Sequence, residues 1–76
     1  MNMKYLSDIN EGETAEVLEI STQDSMRRRL LDIGLIPETE VVCLNQGAKR
    51  EISTYLIRGA VIALRKEDCK NILIKS

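Results

Sequence analysis

Hydrophobic and polar positions alternate along several short segments of the chain, and this pattern predicts a mainly β domain. Apolar residues recur at every second position, or fill short runs, in residues 14–20, 39–44, 52–57, 60–64 and 72–74. We expect each of these five segments to form a short strand. Leu18 and Ile20 interrupt the alternation in the first segment, which predicts a bulge or bend near the end of that strand.

One segment has helical spacing instead. Met26, Leu30 and Ile33 recur at intervals of three and four residues and would share one face of a helix. Gly34 can adopt the left-handed conformation that ends a helix, with the residue after it folding back on Leu30. Pro37 cannot continue the helix and fixes the next turn. The pattern therefore predicts one short α-helix between the first and second predicted strands.

The connections between the segments decide the architecture. A parallel sheet needs a long crossover between each pair of strands, and the chain has room for only one. Five short strands and one helix within 76 residues predict a small antiparallel β-barrel, formed by a single domain that spans residues 1–76. The residues expected to be buried together in its core are Val17, Leu30, Ile33, Val41, Ile57, Ile62 and Leu64.

Composition and charge limit the class of protein. A formal net charge of −1 gives no general attraction to nucleic acid or to an anionic membrane. No apolar run in the sequence approaches the roughly 20 residues that a membrane span needs. The first eight residues lack the apolar core of a signal peptide. We therefore expect a folded cytoplasmic domain.

The residues that usually carry catalysis or hold metals are scarce. The sequence has no histidine, no glycine-flanked serine and no phosphate-binding glycine loop, since its four glycines stand far apart. Cys43 and Cys69 give no chelating pair and are expected to be buried, reduced thiols. We therefore expect no enzymatic activity, no cofactor and no metal site.

The run Arg27-Arg28-Arg29 on the predicted helix has two interpretations. It could contact nucleic acid, or place an arginine beside a nucleotide on a GTPase partner. It could also be a solvated helix face on which Arg28 pairs with Asp32 at i,i+4 spacing. Three basic residues in a net acidic domain favour the solvated face.

Several predicted strands are apolar in both phases of the alternation. If Val41, Ile57 and Leu64 face the core, apolar side chains also point outward, where a solvated strand usually carries polar residues. Such a group suggests a surface for a partner, unless the helix or the N-terminal segment covers it. Both interpretations stay open at this stage. The outward apolar residues are Val42, Leu44, Leu56 and Val61.

Four pieces of the sequence, in this order and spacing, resemble one protein family. They are Ala15-x-Val17, the run Arg-Arg-Leu-Leu-Asp-Ile-Gly-Leu-Ile-Pro at residues 28–37, Ile57-Arg58-Gly59 with Ile62-Ala63-Leu64-Arg65, and Cys69-x-x-Ile72-x-Ile74. The family is ferrous iron transport protein A (FeoA). The resemblance implies a small SH3-like barrel that serves, without catalysis, as a cytoplasmic accessory to a membrane ferrous iron transporter with a GTPase domain.

The resemblance leads to two functional hypotheses, an accessory role in iron transport and a regulatory role. Val42, Leu44, Leu56 and Val61 would form a patch that docks on the transporter's cytoplasmic domain, with Arg28 and Arg29 as a charged rim. A proline-rich peptide site of the kind common in SH3 domains is not expected, because such a site needs an aromatic-lined groove and aromatic residues make up only 3% of the chain. The same fold occurs in iron-dependent repressors, so a metal-responsive regulatory domain is the alternative. The absence of a DNA-binding helix pair in the sequence favours the accessory role.

The sequence departs from the family pattern at one turn. The position after Pro37 is commonly glycine in the family, and here it is Glu38. A type II turn requires positive φ at that position, which is unfavourable for a residue other than glycine. A type I turn would avoid this cost, so the turn is expected to differ from that of the family.

Overall fold

A computed structural model describes residues 4–21 and 24–75, and in this part of the chain six strands enclose an apolar core. The elements, in chain order, are β1 (Lys4–Tyr5), β2 (Thr14–Ile20), α1 (Asp24–Asp32), β3 (Glu40–Gln46), β4 (Ile52–Ile57), β5 (Ala60–Arg65), α2 (Lys66–Cys69) and β6 (Ile72–Lys75). Single 3-10 turns follow β1 and precede β4. Neither of the described helices has the length and apolar character needed to cross a bilayer.

The strands form one antiparallel sheet in the order β1-β6-β2-β3-β4-β5. The fold class is the predicted one, with one strand more than the pattern indicated. That extra strand, β1, has two residues and pairs Lys4 with Ile74 and Tyr5 with Leu73. A two-residue strand is too short to show an alternation, so periodicity could not reveal it. β1 and β5 are the two edges of the sheet, which does not close between them.

The core is one cluster of strand residues, joined by Leu30 of α1, Leu6 of the first 3-10 turn and Cys69 of α2. Val17, Leu30, Val41, Ile57 and Leu64 are buried, as predicted. The remaining two members of the predicted core, Ile33 and Ile62, are only partly buried and pack against its margin. Their positions explain this exposure, because Ile33 follows the last turn of α1 and Ile62 lies on the edge strand β5.

The end of α1 has the predicted glycine closure. Gly34, at φ 93°, donates its backbone N–H to the carbonyl of Leu31 at 3.0 Å. Leu35 donates its N–H to the carbonyl of Leu30, also at 3.0 Å, and both leucines are buried. This pair of hydrogen bonds is the Schellman motif, in which an apolar contact accompanies the left-handed residue. It fixes the direction in which the chain leaves α1 toward β3.

The turn after Pro37 is not the type I turn that was expected. The N–H of Thr39 donates to the carbonyl of Ile36 at 3.1 Å, and Glu38 lies at φ 75°, as in a type II turn. The type I alternative is therefore wrong. Hydrogen bonds to β2 hold the strained residue in place, since Glu38 donates to the carbonyl of Val17 at 2.7 Å and Val17 donates to that of Thr39 at 2.9 Å.

Candidate partner-binding surface

The β4–β5 hairpin decides which side chains lie together on the outer face of the sheet. Its two turn residues, Arg58 and Gly59, lie at φ 49° and 83°, the left-handed pair of a type I′ turn. A two-residue loop of this type matches the twist of the strands and fixes their pairing. Leu56 therefore lies directly opposite Val61, on the side of the sheet away from the buried Ile57.

Pairing with β3 extends this arrangement to a third strand. Val42 lies opposite Leu56, which lies opposite Val61, so the three side chains cross three neighbouring strands in one line. We call these three residues the apolar row. Leu56 is 36% exposed and Val61 65%, while Val42 is half-buried. The described parts of α1 and of the N-terminal segment thus leave the row open to solvent.

Leu44 belongs to the same face but not to the row. It is 42% exposed, and the pairing of β3 with β4 shifts register between Cys43 and Asn45. Leu44 therefore occupies a bulge and has no residue directly opposite it on β4. Of the four outward residues predicted from the sequence, three are joined by direct pairing and the fourth lies beside them on β3.

Ile52 is an exposed apolar residue of this face that was not among the predicted outward residues. It is 52% exposed and lies at the start of β4, in the same phase of the strand as Leu56. The period-two rule that placed Leu56 outward would also have found it. Ile52 lines a shallow depression together with Ala63 of β5 and Met26 and Arg29 of α1.

The three arginines of α1 have different surroundings. Arg29 is exposed and reaches the depression beside Ile52, so it borders the outer face. Arg28 is exposed on α1, and no described contact joins it to the apolar row. Arg27 instead donates a hydrogen bond from its guanidinium to the backbone carbonyl of Ile20 at 2.9 Å, tying α1 to β2. Of the two arginines predicted as a charged rim, Arg29 lines this depression, and the contact of Arg28 and Arg29 with a partner stays a prediction.

Both cysteines are buried free thiols, as the sequence predicted. Cys69 donates an S–H hydrogen bond to the hydroxyl of Tyr55, with 3.5 Å between sulfur and oxygen. Burial raises the pKa of the Cys69 thiol to about 11 and raises the pKa of Tyr55 above its ordinary value. A protonated thiol is a poor nucleophile and a poor metal ligand. Among the described residues, no three His, Cys, Asp or Glu side chains cluster closely enough to hold a metal ion.

Solved structures share this architecture along almost the whole chain. A FeoA-like protein from Clostridium acetobutylicum superposes with a TM-score of 0.87 at 23% identity, covering 99% of this chain and 87% of that one. FeoA from Stenotrophomonas maltophilia, complexed with zinc and described as an SH3 domain protein, gives 0.84 at 22%, covering 95% and 89%. A manganese-dependent transcriptional repressor gives 0.86 at 23%, covering 97% of this chain and 41% of the repressor.

Sequence comparison assigns the family. No curated protein matches the chain. The family model described as the FeoA domain matches residues 4–76, which is nearly the entire sequence. Together with the SH3-like architecture shared with solved FeoA proteins, this match shows that the chain belongs to the FeoA family, whose members are associated with iron uptake.

Proposed function

We propose that this protein is a non-catalytic, cytoplasmic accessory protein of ferrous iron uptake. Its partner is the cytoplasmic, GTPase-containing part of a membrane ferrous iron transporter. Membership of the FeoA family supports the link to iron uptake. The related Stenotrophomonas protein is described as a candidate ferrous iron transport activating factor, which is an accessory role of this kind.

The apolar row is the observation that carries the proposal. Val42, Leu56 and Val61 lie side by side on three strands, and Leu56 and Val61 are exposed. Apolar side chains gathered on an outer strand face are costly in water and typical of a surface that a protein partner covers. Leu44 and Ile52 enlarge the face on one side of the row, the side on which Thr54 and Ala63 lie.

The chemistry of the described residues supports a binding role over a catalytic one. General acid–base and nucleophilic catalysis need a positioned group with a suitable pKa in a cleft. The sequence has no histidine, and the Cys69 thiol is buried with a raised pKa. Binding through an apolar face needs none of these groups.

A substitution in the apolar row tests the proposal. Leu56→Asp places a charge in the centre of the row without opening the core, because Leu56 is exposed. Central interface residues dominate binding energy, so we expect affinity for the isolated cytoplasmic domain of the transporter to fall at least about tenfold. The measurement is isothermal calorimetry with the native chain and the variant, with melting curves run in parallel.

Leu18→Asp is the matched control for this experiment. Leu18 is 43% exposed at the bulge of β2, between Val17 and Glu19, and lies outside the β3–β5 face. This variant introduces the same charge at a similar exposure and should bind as the native chain does. The proposal is wrong if the native chain does not bind the domain, or if both variants bind it equally well.

The second candidate is the regulatory domain of a metal-responsive repressor. The specific observation is the superposition on 41% of a manganese-dependent transcriptional repressor. A regulatory domain of this type should respond to the metal itself. Addition of Mn²⁺ or Fe²⁺ would then raise the melting temperature of this chain, whereas the accessory role predicts that neither the metal ions nor a chelator changes it.

A further inference from the structure

A row of acidic side chains lies beside the apolar row on the same outer face. Thr14 of β2 lies opposite Val42, and two residues further along the strands Glu16 lies opposite Glu40. Two residues along a strand correspond to about 7 Å. Glu38, in the turn before β3, lines one depression with Glu40, Val42 and Leu56. We call Glu16, Glu38 and Glu40 the acidic row.

The negative charge of the acidic row is only partly balanced by cations of this chain. Like charges directly opposite each other on antiparallel strands destabilise a sheet, and Glu16 and Glu40 are such a pair. All three carboxylates are exposed. Lys75 of β6 lies opposite Glu16, and Arg58 lines the depression with Glu38 and Glu40, so three carboxylates face two cations and negative charge remains in excess. A cationic group that reached this row from a partner would relieve the repulsion. The charge pattern therefore favours a partner with basic side chains beside its apolar contact.

We propose that the two rows together hold an amphipathic helix of the partner protein, with its apolar stripe on the apolar row and lysine or arginine on the flank over the acidic row. This inference rests on the proposed function only for the identity of the protein that carries the helix. The chemistry of the helix follows from the surface itself.

The spacing of the apolar row fits a helix that crosses the strands. Neighbouring strands lie about 4.8 Å apart, so Val42 and Val61, two strands apart, are separated by about 10 Å along the row. Helix positions i, i+4 and i+7 share one face and advance by about 5.4 Å per turn, which gives about 10.5 Å from i to i+7. Three successive apolar side chains of a helix can therefore meet the three residues of the row.

The width of a helix brings its flank to the acidic row. A helix with its side chains is about 10 Å across, so a helix centred on the apolar row presents its flank about 5 Å to one side. The acidic row lies about 7 Å from the apolar row, so a lysine or arginine stem can bridge the remaining gap while lying on Val42. On the other side of the row, Thr54 lies opposite Ala63 and neither is charged. The surface therefore favours basic residues on one flank of the helix only.

Two synthetic peptides test this inference without the transporter. Each has about 15 residues, the length at which isolated helices begin to be stable, with leucine at i, i+4 and i+7. One carries lysine on a flank and the other glutamate. Each is titrated into the ¹⁵N-labelled native chain while amide chemical shifts are recorded. We expect the lysine peptide to bind at least about tenfold more tightly, with shifts centred on Val42, Leu56 and Val61.

Two charge-reversal variants of the protein, one in the acidic row and one control outside it, complete the test. Glu40→Lys should remove the preference for the lysine peptide and favour the glutamate peptide instead. Glu19→Lys makes the same charge change on the β2 segment beyond the bulge, opposite Leu73, and should keep the native preference. The ¹⁵N spectrum of each variant reports whether it is folded. Added salt should bring the two affinities closer together, because exposed charges are screened.

The inference is overturned if neither peptide binds, if both bind equally well to the native chain, or if the shifts centre on α1. A distinct result concerns the proposed function. If the lysine peptide shows the expected preference while the transporter's cytoplasmic domain fails to bind, the surface is a helix-binding site and its partner is another protein.

Discussion

Glu38 combines an unfavourable backbone conformation with an exposed carboxylate. Its φ of 75° is rare for residues other than glycine, and hydrogen bonds to Val17 hold it there. Strained residues of this kind are often retained where the side chain has a function. The position of Glu38 in the acidic row offers such a function under the helix-binding proposal.

Replacing this residue should stabilise the protein. Glu38→Gly removes the side chain that disfavours positive φ, so we expect the free energy of unfolding to rise by about 1 kcal/mol. In a domain of this size, that gain raises the melting temperature by about 4–8 °C. Glu51→Gly is the control, because it removes the same charge at φ −69°, where glycine brings no relief. An equal gain in both variants would show that charge, and not backbone strain, explains the effect.

The buried thiol of Cys69 should make stability fall in alkaline solution. Its pKa is about 11 in the folded protein and 9.0 in its ordinary state. The unfolded chain therefore loses the thiol proton first and is favoured as pH rises through this interval, while below it the full stability remains. Urea unfolding between about pH 7.5 and 9.5, below the ordinary pKa of tyrosine of about 10, measures the onset of this loss. Cys69→Ala should show a shallower decline, and an equal decline would contradict the assignment.

At the scale of elements, α1 is attached to the sheet mainly through one fully buried residue. Leu30 is 0% exposed and its carbonyl takes part in the glycine closure, whereas Met26 and Ile33 of the same helical face are only partly buried. Helix periodicity grouped the three residues correctly. It could not rank their burial, because burial depends on how the helix packs against the rest of the fold.

Two truncations, one in α1 and one directly after it, should therefore have unequal effects. Leu30→Ala should lower the free energy of unfolding by about 2–5 kcal/mol, the usual cost of emptying a buried leucine site. Ile33→Ala removes an equal number of atoms from a partly exposed position and should cost clearly less. Urea denaturation of both variants provides the comparison. Equal losses would mean that Ile33, directly after α1, is packed as tightly as Leu30.

The sequence predicted strands well where an alternation was long enough to read. Residues 14–20 and 52–57 form strands with the expected bounds, and the bulge near Leu18 is present. The two-residue strand β1 carries no readable pattern and was missed. The turn at Glu38 was misjudged because its conformation is imposed by hydrogen bonds to β2, which are distant in sequence.

At the scale of the whole molecule, the outer face of β3–β5 was partly visible in the sequence. The alternation gave the outward direction of Val42, Leu44, Leu56 and Val61, and the short turn at Arg58 made β4 and β5 neighbours. The acidic row could not be foreseen, since Glu16 and Glu40 come together only through the register between β2 and β3. That register depends on where α1 returns the chain to the sheet.

The central claim is that the face carrying the apolar row is where the partner docks. The most direct test is amide hydrogen exchange of this chain, free and bound to the cytoplasmic domain of the ferrous iron transporter. The claim predicts slower exchange in β3, β4 and β5 around Val42, Leu56 and Val61, with no change around Leu18. Protection confined to α1 around Arg28 and Arg29, with the apolar row unchanged, would contradict it and place the contact on the helix.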